Sequence, residues 1–164
     1  NMDNTINSQG EQDAKKLHDK YKSVEIDGLP PSFFEANRKK YLANIQNKNK
    51  NYEPNSILII EGGIDTPRFD TDVIHYHFLQ ESCFYYLTGV RETEFYAVLD
   101  FNDSKTITLF WKVPPESSKI WSYVPSLESL TVKYGVQTND HKEFYNFISN
   151  RNPSKIYLLQ GTNT

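Results

Sequence analysis

The run Ser56-Ile-Leu-Ile-Ile-Glu61 constrains this chain more than any other segment. Its consecutive aliphatic side chains leave no polar face, the pattern of a strand covered on both sides, and Gly62-Gly63 ends it. Such a strand needs neighbours for its hydrogen bonds and further layers over its faces, so it is the best candidate for a central strand.

The neighbours are readable on either side. Phe95 to Phe101 and Thr106 to Val113 are β-rich runs separated by Asn102-Asp-Ser-Lys, which has the composition of a hairpin turn, and they are expected to pair antiparallel. Before the central run, Phe34, Arg38, Tyr41, Leu42 and Ile45 recur at helical spacing, with Ser32 as N-cap and Glu35 three residues on. Ser126 to Tyr134 has helical spacing with Gly135 behind it, and His141 to Asn150 repeats the pattern with Phe144, Phe147 and Ile148. Lys155 to Leu159 is a last apolar strand. The fold class that follows is α/β, a mixed β-sheet flanked by helices with an antiparallel hairpin element.

With 164 residues there is room for one core. Residues 1–20 are polar, carry both charge signs and read as a disordered tail; Tyr21 to Asp27 alternates as a short extended arm, and residues 21–164 form the domain. The chain stops at Gly161-Thr-Asn-Thr directly after a strand, where a continuing protein would enter a loop. The sequence shows no internal repeat.

Formal net charge is −3 and the sequence pI about 5.8, so no positive field is present to hold nucleic acid. No apolar run approaches the roughly 20 residues that span a bilayer. Cys83 is the sole cysteine, which excludes an internal disulfide and suits a reducing compartment such as the cytoplasm.

Candidate chemistry is sparse. His75 and His77 are two apart and would share a strand face, with Asp70 and Asp72 near, but no further ligand completes a metal set, and an ordinary polar strand edge is the better reading. Cys83, inside Glu-Ser-Cys-Phe-Tyr-Tyr-Leu, reads as a small buried residue rather than a nucleophile. Glu61-Gly62-Gly63 reads as a turn, since no phosphate-loop ending follows it. Arg38, Lys39, Lys40, Lys48 and Lys50 read as a solvated helix face. Among the 11 Tyr and 10 Phe, Phe84, Tyr85, Tyr86, Phe95 and Tyr96 fall in one stretch, a composition that suits core and packed interface alike. No Ser-His-Asp set, paired carboxylates or zinc helix motif can be assembled. On its residues alone the chain is a binding or assembly domain.

Glu61-Gly-Gly-Ile-Asp-Thr-Pro-Arg-Phe-Asp-Thr-Asp72 followed by Phe78-Leu-Gln-Glu-Ser-Cys-Phe-Tyr-Tyr-Leu-Thr-Gly-Val90 resembles the N-terminal domain of the prolidase and aminopeptidase P family of creatinase-like Xaa-Pro peptidases. Arg68, Asp72, Phe78, Gln80, Glu81, Ser82, Phe84, Leu87, Thr88 and Gly89 carry the pattern. The likeness runs on through Val90 to Asp100 and Thr108-Leu-Phe, and Leu29 to Arg38 is similar to the family's opening helix, so it covers roughly residues 28 to 164. Leu79 departs from it, standing where the family usually has Arg.

The resemblance implies a separate C-terminal domain of pita-bread fold, whose two Asp, one His and two Glu bind two divalent metals, often manganese. None of those ligands is assignable in this chain, which by itself is expected to hold no cofactor and to be inactive. It implies cleavage of the bond preceding proline in proline-containing peptides. It further implies a homodimer whose N-terminal domain limits substrate length, sometimes at the partner's active site. Arg68, Asp72, Gln80, Ser82 and Gly89 are then structural motif positions. Tyr86, the aromatic before Leu-Thr-Gly that some relatives fill with Trp, is the expected wall residue, supported by Tyr85 and Phe84. A rigid aromatic closes a pocket at low entropic cost. The alternative function is a catalytically dead binding module of the histone-chaperone type, and a third is a free-standing interaction domain. Dipeptidase and aminopeptidase are not separable from these residues.

Overall fold

The computed structural model describes residues 26–65, 78–103, 106–120 and 123–159. The polar tail, most of the arm, part of the hairpin turn, and Arg68, Asp70, Asp72, His75 and His77 lie outside the described residues.

The first helix, α1 (Pro31–Lys48), starts at a proline rather than after Ser32. Pro30 is the N-cap and the Phe33 N–H donates to its carbonyl at 2.9 Å, with no side-chain cap among the described residues. Proline at the first helical position has no N–H to leave unpaired and a φ already set for the helix, so the Ser32 and Glu35 capping box is not used. Phe34, Arg38 and Leu42 are buried along the inward stripe, while Lys39, Lys40, Lys48 and Lys50 are exposed. Arg38 therefore does not belong to the solvated basic face: it is only 4% exposed.

After α1 come β1 (Ser56–Glu61), α2 (Ser82–Thr88), β2 (Phe95–Asp100), β3 (Ile107–Trp111), α3 (Leu127–Tyr134), β4 (Thr138–Asp140), α4 (Phe144–Arg151) and β5 (Lys155–Leu158). Among the described residues the strands form one mixed sheet in the order β4-β3-β2-β1-β5. β1 and β2 are antiparallel with Ile57 opposite Asp100, and β2 and β3 form the expected hairpin with Phe95 opposite Trp111. β5 runs parallel to β1, and β4 parallel to β3. β1 is thus interior and buried on both faces, as its composition requires, but β2 is the middle strand.

Alternation along the strands divides the core in two. Leu58, Ile60, Phe95, Ala97, Leu99 and Leu109 face α1, α2 and α3, where Phe34, Phe84, Leu87 and Leu130 complete a large buried cluster. Ile57, Val98 and Phe110 face the other way and are covered by the partly buried Phe144, Phe147 and Ile148. α3 is capped as its sequence predicts, with Ser126 Oγ accepting from the Ser129 N–H and Gly135 closing the helix at φ 66°. The pattern from His141 resolves into a short 3-10 turn, His141–Glu143, leading into α4. No helix among the described residues is long and apolar enough to cross a membrane.

Candidate functional site

Of the residues singled out in the sequence, Ser82, Phe84, Tyr85 and Tyr86 lie on α2, with Gln80 before it and Gly89 after it, and the spacing of apolar residues did not reveal this element. It has only seven residues, too few to be stable alone, so its ends must be held from outside. At the start the Glu81 carboxylate accepts from the N–H groups of Cys83 at 3.0 Å and Phe84 at 2.7 Å. A negative group at that end also complements the helix dipole. Gln80 ties the same end to the sheet: Oε1 accepts from the Gly63 N–H at 2.6 Å, and Nε2 donates to the Glu92 carbonyl at 2.8 Å. Ser82 lies exposed in the first turn.

The other end carries the aromatic residues. Phe84 is wholly buried in the main core, and Tyr85 is half-buried with its ring edge-on to Phe34 at 5.9 Å. Tyr85 Oη donates to Asp27 Oδ2 at 2.8 Å, and Arg91 Nε reaches the same oxygen at 2.5 Å while its guanidinium lies over the Tyr85 ring. The hydrogen bond from Tyr85, aided by Arg91 and outweighing partial burial, holds the Asp27 carboxyl below the usual carboxylate range. Tyr86 projects outward and is 39% exposed, so its ring is not a core residue of this domain. Gly89 follows at φ 74°, and a Cβ there would lie 2.7 Å from the Phe34 ring. Only glycine fits both the turn and the close approach.

Two side chains that sequence reasoning gave no site role complete this end. Asn37 Nδ2 donates to the Tyr86 carbonyl at 2.9 Å, and Arg38 Nη1 donates to the Leu87 carbonyl at 2.9 Å. Burial pushes the Arg38 guanidinium down to about 10 against the opposing pull of Glu35, so it stays charged at neutral pH. A cation one turn from Phe34 on an otherwise apolar stripe was the signal that could have found it.

Cys83 is half-buried, and burial together with the Glu81 charge pushes its thiol up, which keeps it protonated and a poor nucleophile. Among the described residues no three His, Cys, Asp or Glu side chains come together to hold a metal. What the arrangement offers is a surface aromatic on a short, firmly held helix end. Leu79 is 86% exposed close before that helix, so nothing in the domain core depends on a side chain there.

The family model for the aminopeptidase P N-terminal domain matches residues 34–157. The chain belongs to that family. The aminopeptidase P N-terminal domain seen here is 32% identical over 140 residues to human Xaa-Pro dipeptidase, covering 83% of this chain and 27% of that protein. Its identity to the Xaa-Pro dipeptidase of Pongo abelii is 33% over 142 residues, with the same coverage. Among solved structures, the proline aminopeptidase P II of Yersinia pestis superimposes with a TM-score of 0.65 at 24% identity, over 82% of this chain and 30% of that one. Aminopeptidase P of E. coli gives 0.63 at 22% identity, over 81% and 30%. The structural matches bear out the α/β fold of an aminopeptidase P N-terminal domain, and the chain spans 27% of the length of the curated relatives.

Proposed function

We propose that this domain is the substrate-length-selecting and dimerising N-terminal part of a cytoplasmic, metal-dependent Xaa-Pro dipeptidase or aminopeptidase. The chain is 32% and 33% identical to two Xaa-Pro dipeptidases, which supports the reaction class. The carrying observation is Tyr86: a residue 39% exposed, mounted on a helix end whose backbone is bonded to α1, offers itself to a surface other than its own core. Placed at the mouth of a peptidase site, it would block the far end of a substrate and exclude water. The chemistry is assigned to a C-terminal domain holding two divalent metals, manganese in our reading, which would supply an activated water and an electrophile for the carbonyl preceding proline. This domain would then contribute no catalytic group, and a homodimer would bring Tyr86 to the partner's site.

The test is hydrolysis of Gly-Pro and of a longer Xaa-Pro peptide by the full-length protein with manganese, alongside the present chain and a full-length Tyr86→Ala variant. Cleavage by the full-length protein alone, with a changed preference between the two lengths in Tyr86→Ala, is the expected result. An inert full-length protein would turn the reading toward a catalytically dead binding module.

A further inference from the structure

We infer that Asn37 and Arg38 are positioning residues for substrate selection, acting through the backbone that carries the Tyr86 ring. The inference rests on the reading of Tyr86 as a wall residue. It starts from an account of the last carbonyls of α2, which have no partner further along the helix. The last four belong to Tyr85, Tyr86, Leu87 and Thr88, and Tyr85 O accepts from the Gly89 N–H at 2.8 Å. Of the three that follow, Tyr86 O and Leu87 O are the two that Asn37 and Arg38 take.

Both donors are buried, Asn37 at 9% exposure and Arg38 at 4%; the Arg38 bond is buried throughout and the Asn37 bond partly so, which shields them from competing water. A charged donor on a carbonyl is also among the stronger hydrogen bonds. Because the Tyr86 ring is partly exposed, core packing does not fix its direction, and the backbone that carries it must. Two adjacent donors on one helix gripping two consecutive carbonyls of another fix both the rotation and the height of that backbone. With either grip gone, the ring swings relative to the site it walls. The expected consequence is a change in which peptide lengths are accepted, separate from any change in stability.

The experiment uses the full-length protein with manganese and compares kcat/KM for Gly-Pro and for a longer Xaa-Pro peptide in wild type, Tyr86→Ala, Asn37→Leu, Arg38→Met and Arg38→Lys, with a thermal midpoint for each. Tyr86→Ala should move the ratio of the two values about 10-fold, and Asn37→Leu and Arg38→Met should move it in the same direction by several-fold. Arg38→Lys, which restores a charged donor, should bring the ratio most of the way back. If Asn37→Leu folds and both substrates fall together with the ratio unchanged while Tyr86→Ala moves it, the two residues are merely structural and the inference is overturned. Should Arg38→Met fail to fold, Asn37→Leu decides alone. A flat ratio in Tyr86→Ala removes the wall reading itself, and the inference goes with it.

Discussion

The two faces of the sheet are built to different standards. On one, α1, α2 and α3 cover a continuous cluster in which Phe34, Phe84, Leu87 and Leu130 are at most 1% exposed. Polar bonds from Asn37 and Arg38 lock α1 to the end of α2 there. On the other, α4 lies over Ile57, Val98 and Phe110, and the rings that do the covering remain partly open. Its tie to the sheet is an ion pair from Arg151 to Asp100 rather than a buried network. The element proposed to meet substrate sits on the face with the greater rigidity. A selecting wall needs a fixed position more than it needs mobility, and the polar clamps are placed where they supply it.

The sharpest way to break this contrast is a matched pair of truncations. Phe84→Ala empties a site with no solvent access and should cost about 4 kcal/mol, whereas Phe147→Ala, on the thin face, should cost about half that because the site is already partly open. Urea unfolding of the two variants checks it, and equal losses would mean that the faces are equally packed. Next in size is Gly89→Ala. The added methyl meets the Phe34 ring at 2.7 Å on a backbone at φ 74°, and strain and overpacking together should cost about 3 kcal/mol. Thr88→Val keeps the shape but leaves the Val90 N–H without its acceptor and removes the donor to Phe84 O, a loss of about 2 kcal/mol by the same measurement.

How much of this was legible beforehand depended on whether a partner was local. β1 announced itself by composition, the hairpin by two β-rich runs and a turn, and α3 by Ser126 and Gly135 at its ends. α2 has its caps in sequence too, Glu81 before and Gly89 after, but with only two apolar core residues, Phe84 and Leu87, it is too short to show a period. β4, three residues long, leaves no pattern at all. Arg38 was visible as a cation on an apolar stripe. Its meaning was not, because it donates to a backbone carbonyl 49 residues away and a carbonyl has no sequence signature. Tyr86 stood out only through resemblance to a family; its spacing is equally that of a core ring, and its exposure decides against that.

The smallest expected effect sharpens the comparison through acid. Burial alone would raise the Asp100 carboxyl, but the two hydrogen bonds from Arg151, at 2.5 and 2.9 Å, and the Asn102 N–H outweigh it and leave the group below its ordinary value. A folded-state pKa lower than the unfolded one contributes stability that is fully present above the unfolded value, near 3.9, and is lost as pH falls through the folded value. Wild type should therefore lose on the order of 1 kcal/mol from this pair between about pH 5 and pH 2, and Asp100→Asn should lack that part of the loss. Asp27, on the thick face, is shifted in the same direction by Tyr85 and Arg91, but the site is open to solvent and the shift should matter less. Urea midpoints for wild type, Asp100→Asn and Asp27→Asn across that pH range separate the two. If Asp27→Asn flattened the profile more than Asp100→Asn did, acid would be acting on the α2 side first, and the thin face would not be the weaker one.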